Sequence, residues 1–404
     1  NTSSEMRLIE DLLRGYNPMA RPVKNSSEAV VIACQLQIRS LLELNEKEET
    51  LVTFSWMIFS WVDEFLNWNP DDYGGLDRVS LPVSRIWNSD FGIRNSAGKF
   101  YGDLEQWQSF AEVTNTGFVN RYIPSKIETS CSLDMQYFPF DQQACYIHID
   151  PWDYGSKQVD LTIDDSGSIY TNETPSGQWV FAGSSAEVIE MPYLDFSYKS
   201  IKFTLQLSRK PEYYMLTLIC PSLMVSVLEI LMFLLPPESG EKISLGITGL
   251  LSFSVSLLMI ADNLPPQSDK VPLLTVYILC IMSLMILSIG TSVFVLIMHH
   301  PKRLPPKWMT TKIFENGNDV ISNNYGDDKE HDSSIDNEGL RYLVSYVKRT
   351  ECEQSQHEVW VKFAAKLDRI FLGVFTALTI TITTILLGIY PLTRPNIVEA
   401  KNVS

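Results

Sequence analysis

Hydrophobic and polar positions change rhythm twice along the chain. Near the start, Thr2-x-x-Glu5 forms a capping-box pattern ahead of Leu8, Ile9, Leu12 and Leu13 at helical spacing. This predicts one short helix, brought to an end by Gly15 and Pro18. From Val30 to Leu207 the pattern becomes short alternating runs broken by Gly, Pro, Asn and Asp, clearest at Val30–Ile38, Leu51–Trp61, Tyr146–Ile149 and Ile201–Leu207. Many short strands in succession predict an antiparallel sandwich. Four apolar stretches follow, at Tyr213–Leu235, Ile243–Ile260, Val271–Met298 and Ile370–Ile389. Each reaches or approaches the ~20 residues that cross a bilayer core, and such near-chargeless runs argue against a buried soluble bundle. The expected fold class is an α+β membrane protein: an extracellular antiparallel β-sandwich with an N-terminal helix, then a four-helix transmembrane bundle. The expected boundaries are 1–212 for the sandwich, 213–299 for three spans, 300–369 for a cytoplasmic loop, 370–390 for the last span and 391–404 for a tail. Within the loop, Gly317–Gly339 reads as disordered, and Leu340, Leu343, Val344 and Val347 predict an amphipathic helix leading into the last span.

Charge and cysteines narrow the function. The 404 residues hold 32 Lys+Arg against 48 Asp+Glu, a balance of −16, which argues against nucleic acid as a partner. The chain opens at Asn1-Thr-Ser with no apolar leader, the pattern of a processed secretory product. N-x-S/T sequons stand at Asn1, Asn25 and Asn172, which predicts an extracellular first half. Four spans then return the C-terminus to the same side, consistent with the sequon at Asn402. His299, His300, Lys302, Arg303, Lys307, Lys362, Lys366 and Arg369 then flank the cytoplasmic loop, as the positive-inside tendency expects. Cys131 and Cys145 bracket a short segment of the polar half and form the natural disulfide pair. No metal-ligand spacing, phosphate loop or nucleophile elbow occurs, so the expectation is a protein without cofactor or metal and without enzymatic activity.

The second apolar stretch differs from the others. Glu241, Ser244, Thr248, Leu251, Val255, Leu258 and Asp262 recur at alternating steps of three and four, and so share one helical face. Along it the chemistry runs from acidic through hydroxyl to apolar and back to acidic. A ring of such helices would set carboxylates at both mouths of a pore, attracting cations, with apolar rings of Leu251 and Val255 able to close it by dewetting. The bland alternative is a helix packed on its neighbours through small residues.

Cys131-Ser-Leu-Asp-Met-Gln-Tyr-Phe-Pro-Phe-Asp-Gln-Gln-Ala-Cys145 resembles the signature loop of Cys-loop receptors, the pentameric ligand-gated ion channels. Pro237-Glu-Ser-Gly-Glu-Lys-Ile-Ser-Leu-Gly-Ile-Thr248 is similar to the start of the pore helix in nicotinic acetylcholine receptors, and Asp368-Arg369-Ile370-Phe371-Leu372 to the entry of their fourth span. The resemblance implies a homo- or hetero-pentamer with an agonist bound between subunits in an aromatic box, where ring faces hold a cationic amine. It places Trp152, Tyr193 and Tyr198 on the principal side, and Trp61, Asn120 and Tyr122 on the complementary side. Trp87 and Asp90 match a structural segment nearby. Two departures stand out. The hairpin Val188–Tyr198 lacks an adjacent cysteine pair, and Arg94 stands where the family carries a tyrosine. Arg94 would repel a cationic ligand, or pair with an acid such as Glu190 or a ligand carboxylate. For coupling between site and gate, the family positions are Glu46, Phe138, Pro139, Asp141, Arg209 and Pro265–Pro272, with Arg209 paired to Glu46 or Asp141 and a cis Pro139.

The function these features imply is a ligand-gated, cation-selective channel subunit of the plasma membrane, of synaptic type, with an unidentified small-molecule agonist. The lipid bilayer is its surrounding, Na+ and K+ its permeant ions, and Ca2+ a further candidate. The alternatives are an accessory subunit that needs partners for a competent site, and a chemosensory or proton-gated channel of the same fold.

Overall fold

A computed structural model describes residues 3–98, 110–174, 176–193, 196–236, 240–266, 270–299 and 338–389. Contacts divide the chain into two units, one running to Tyr213 and including Ala261–Pro272, the other comprising Tyr214–Ile260 and Leu273–Thr393.

The first unit opens with helix α1 (Ser4–Leu13), capped by the Ser3 hydroxyl, which accepts from the Met6 amide, with Leu8 fully buried. Ten strands follow: β1 (Val30–Asn45), β2 (Thr50–Asn67), β3 (Arg78–Pro82), β4 (Phe91–Ile93), β5 (Phe110–Thr114), β6 (Thr116–Ser130), β7 (Gln142–Pro151), β8 (Val159–Thr174), β9 (Trp179–Tyr193) and β10 (Phe196–Arg209). They form a six-stranded sheet in the order β3-β5-β6-β2-β1-β8 and a four-stranded sheet in the order β4-β7-β10-β9. Alternation decides which face is core: Ile32, Cys34, Leu36 and Ile38 of β1 are buried with Met57, Phe59 and Trp61 of β2, against Ile147, Ile149, Phe203 and Leu205 of the other sheet. Phe59 and Phe91 stack across the sandwich with centroids 4.0 Å apart. The Cys131–Cys145 disulfide ties the residue after β6 to β7, and so one sheet to the other. One pairing departs from the antiparallel expectation: β1 and β8 run parallel, from Val30 opposite Val159. Parallel neighbours need a long connection, and more than a hundred residues of chain separate these two.

The second unit contains four helices long and apolar enough to cross a membrane. They are α2 (Glu212–Met232), α3 (Glu241–Asn263), α4 (Leu273–His299) and α5 (Glu338–Thr383), the last continued by a wider turn to Ile389. The expected amphipathic helix and last span are one uninterrupted helix, because no Pro or Gly breaks the stretch from Leu340 to Leu372. Gly246 and Gly249 fix the approach of α3 to α4. A Cβ at Gly246 would meet Ile289 Cγ1 at 2.6 Å, and one at Gly249 would meet Met285 Cε at 2.2 Å. Lys242 and Asp368 form a buried ion pair between α3 and α5. Asn1, Asn402, most of the 300–369 loop with nearly all of Gly317–Gly339, and the 391–404 tail lie outside the described residues.

Candidate ligand and pore sites

At the end of β7 the chain turns outward and presents Trp152, whose side chain is 55% exposed and whose amide donates to the Asp90 carbonyl at 3.0 Å. The indole lies in a notch over Gly92 of β4. A Cβ there would sit 1.5 Å from Trp152 Nε1, so only glycine allows this placement. Trp152 opens on a cavity of about 890 Å³ that Tyr198, Arg94 and Asp150 also line. Ser197 and Tyr198 of β10 both line it, and the Ser156 amide donates to the Ser197 carbonyl at 2.8 Å. Ser197 Oγ in turn donates to Glu190 Oε1 at 2.7 Å. Tyr193 lies at the end of β9, and its side chain falls outside the described residues.

Arg94 pairs with Asp150, not with Glu190. Nε and Nη2 donate to the two carboxylate oxygens at 2.6 and 2.7 Å, a bidentate fork. The hydrogen bond to Asp150 raises the Arg94 pKa above the ordinary guanidinium value, against the cost of burial. Its Cζ lies 6.0 Å from the centre of the Tyr198 ring. Two positions before Asp150 on β7, burial and then the Arg94 charge lower the pKa of His148.

Of the residues expected on the complementary side, Asn120 and Tyr122 lie on the outward face of the six-stranded sheet and Trp61 does not. Trp61 is 3% exposed and packs edge-on against Trp87 at 5.9 Å, so it is a core residue that no ligand reaches from outside. Five positions earlier, and therefore on the opposite face of β2, Trp56 points outward. It stands opposite Pro124, two positions along β6 from Tyr122 and four from Asn120. Ser60 Oγ donates to Asn120 Oδ1 at 2.6 Å, and the Arg39 guanidinium covers the Trp56 ring at 4.8 Å. Sequence reasoning did not single out Asp150, which lines the Trp152 cavity, Gly92, on which the indole rests, or Trp56 and the Arg39 that covers it. No local pattern set Trp56 apart from Trp61, since apolar residues occupy both parities of that part of β2.

At the other end of the sandwich Arg209 is fully buried, with Nε 2.7 Å from Asp141 Oδ1 and Nη1 2.6 Å from Glu46 Oε1. Its guanidinium also lies 4.2 Å from the Trp179 ring centre and 5.0 Å from that of Phe138. Burial works to lower its pKa, but the two carboxylates outweigh this and hold it above the ordinary value. The Phe138–Pro139 peptide is cis. Lys270, from the segment between α3 and α4, pairs with Asp134 of the disulfide loop. Asn25 is exposed, and Asn172 lies on β8.

On α3 two faces separate cleanly. Lys242, Gly246, Gly249, Phe253 and Ile260 are buried against the chain's own helices. Glu241, Ser244, Thr248, Leu251, Val255, Leu258 and Asp262 are all exposed, with Leu251 at 66%, Val255 at 61% and Leu258 at 63%. The small-residue packing considered as an alternative for this helix is carried by its glycines, on the face away from the hydroxyls. Thr248 Oγ1 donates to the Ser244 carbonyl at 2.9 Å, which satisfies its hydroxyl proton within the helix and leaves lone pairs outward.

A disulfide-linked sandwich bearing an aromatic cavity, followed by four membrane-length helices, is the build of a neurotransmitter-gated ion channel, and the chain belongs to that family. Residues 5–211 match the neurotransmitter-gated ion-channel ligand binding domain, and residues 218–321 match the neurotransmitter-gated ion-channel transmembrane region. Among its relatives is the neuronal acetylcholine receptor subunit beta-3 of Rattus norvegicus, 30% identical over 92% of this chain and 88% of its own length. The beta-4 subunit of Gallus gallus is 35% identical over 74% of this chain and 63% of its own length, and the human alpha-2 subunit 34% over 74% and 57%. The chain is therefore a ligand-gated ion channel of the nicotinic receptor family, a family of channels and not of enzymes.

Proposed function

We propose that the chain is a subunit of a cation-selective pentameric channel of the plasma membrane, with both termini extracellular. An agonist bound between subunits opens a pore lined by α3. The observation that carries this reading is the exposed face of α3. A single chain leaves Leu251, Val255 and Leu258 in the open with hydroxyls and carboxylates in line, while the helix packs on its own bundle through the opposite side. Five copies around an axis would cover that apolar stripe and give Glu241 and Asp262 rings at the two mouths, which concentrate cations and repel anions. The agonist would lie between the Trp152–Tyr198 cavity of one subunit and the Trp56, Asn120 and Tyr122 face of the next. The Arg209, Asp141 and Glu46 cluster, with Phe138 and Pro139, would pass the bias of binding toward the gate.

Leu251→Thr tests the reading without knowledge of the ligand. A hydroxyl in the apolar ring wets the gate, so the variant expressed alone should carry a spontaneous whole-cell current that follows the sodium gradient and ignores chloride. A current that tracks chloride would refute cation selectivity. Silence despite surface expression would favour an accessory subunit that requires partners.

A further inference from the structure

We propose that the ligand of the Trp152 cavity carries a carboxylate that Arg94 receives, so that the site selects an amino-acid-like zwitterion over a plain quaternary ammonium. This rests on the reading of that cavity as the agonist site.

The argument starts from which member of the Arg94–Asp150 pair meets the ligand. The Asp150 side chain is 10% exposed and both of its oxygens are engaged by Arg94, whereas the Arg94 side chain is 32% exposed and lines the same cavity. The bidentate fork uses Nε and one proton of Nη2. Among the described residues Nη1 donates to none, which leaves a fixed edge of N–H donors beside the rings. Such an edge fits a carboxylate and opposes an ammonium. The other ionic residues lining the cavity, Asp153 and Lys157, cancel in charge.

The aromatic surfaces point the same way. Tyr198 already has the Arg94 guanidinium 6.0 Å from its centre, and on the complementary face Arg39 lies 4.8 Å over Trp56. Two of the rings that would cradle an ammonium, Tyr198 and Trp56, thus have a cation of the chain itself beside them. Trp152, by contrast, is half exposed. A ligand with its ammonium on Trp152 and its carboxylate on the Arg94 edge satisfies both groups at once.

Choline and betaine isolate the carboxylate, since both carry a trimethylammonium group and only betaine has the acid. Their binding to the purified full-length channel in nanodiscs can be read by titration calorimetry. Betaine should bind at least about tenfold tighter, the scale of one charge-assisted hydrogen-bonded contact. The Arg94→Gln/Asp150→Asn double variant, which leaves no buried charge unpaired, should remove the difference. Choline binding as tightly as betaine, or the absence of betaine binding, overturns the proposal. Trp152→Ala separates this from the reading beneath it: betaine binding that survives that change unaltered lies elsewhere, and refutes the cavity as the agonist site.

Discussion

Arg94 and Arg209 stand in the same sandwich, each forked onto an aspartate, yet they have different surroundings. Arg209 has 0% side-chain exposure, two carboxylates and two aromatic rings about it. Arg94 has one carboxylate, a third of its side chain open and a cavity beside it. A buried guanidinium enclosed by acids is committed to the fold, because any opening leaves charges unpaired in a poor solvent. A half-open one keeps donors for a visitor. The contrast teaches that ion-pair geometry alone does not mark a binding site; what matters is which partner faces solvent.

The largest expected effect breaks this comparison at the closed end. Arg209→Gln strands Asp141 and Glu46, of which Asp141 is nearly inaccessible at 1%. Removing one partner of such a buried pair costs about 3–5 kcal/mol. Surface expression and the thermal midpoint of the solubilised channel should fall sharply. The Arg94→Gln/Asp150→Asn variant, measured in the same way, should stay near the native midpoint. Equal losses at the two sites would remove the distinction drawn between them.

A middle-sized effect concerns the open end. Gly92→Ala inserts a methyl group where the Trp152 indole lies, so the ring must leave its notch. The ring is half exposed, so the fold should survive while agonist potency drops by about tenfold, or 1.4 kcal/mol. Because both changes act through one ring, Gly92→Ala and Trp152→Ala should be non-additive in a double-mutant cycle. Additive losses would show that Gly92 acts independently of Trp152.

These residues also show what could be read from the sequence. The helical spacing of α3 and the Cys131–Cys145 bracket are patterns of nearby positions visible in the chain, whereas the cluster of Arg209, Glu46 and Asp141 came from the family resemblance together with the sign of the charges. Trp56 was not separable from Trp61, because apolar residues occupy both parities of Trp56-Met57-Ile58-Phe59-Ser60-Trp61 and leave the core face undecided. The Gly92 notch and the parallel β1–β8 register are contacts between distant segments, which no local pattern encodes. Asp150 was hidden for the same reason. It meets Arg94 only because β4 and β7 are hydrogen-bonded neighbours, with Ile93 opposite Ile149.

The smallest effect sharpens the comparison through a neighbour. His148 lies on β7, and its carbonyl accepts the Arg94 amide at 3.0 Å. Burial comes first and the Arg94 charge second in lowering its pKa, so the fold favours the neutral ring. In the unfolded chain the same ring takes its proton near the ordinary value of about 6.5. Between that value and the lowered one the unfolded state binds more protons, so stability must fall as pH drops through the ordinary histidine range. The thermal midpoint of the native channel should therefore decline from about pH 7 to about pH 5, and His148→Asn should flatten part of that slope. Arg94→Gln/Asp150→Asn removes Arg94, which lowers the His148 pKa, together with Asp150, which raises it less, so in the native His148 background it should flatten the slope only slightly. A slope that His148→Asn leaves unchanged would show that this ring does not carry the pH dependence, and the open end of the sandwich would lose that distinguishing feature.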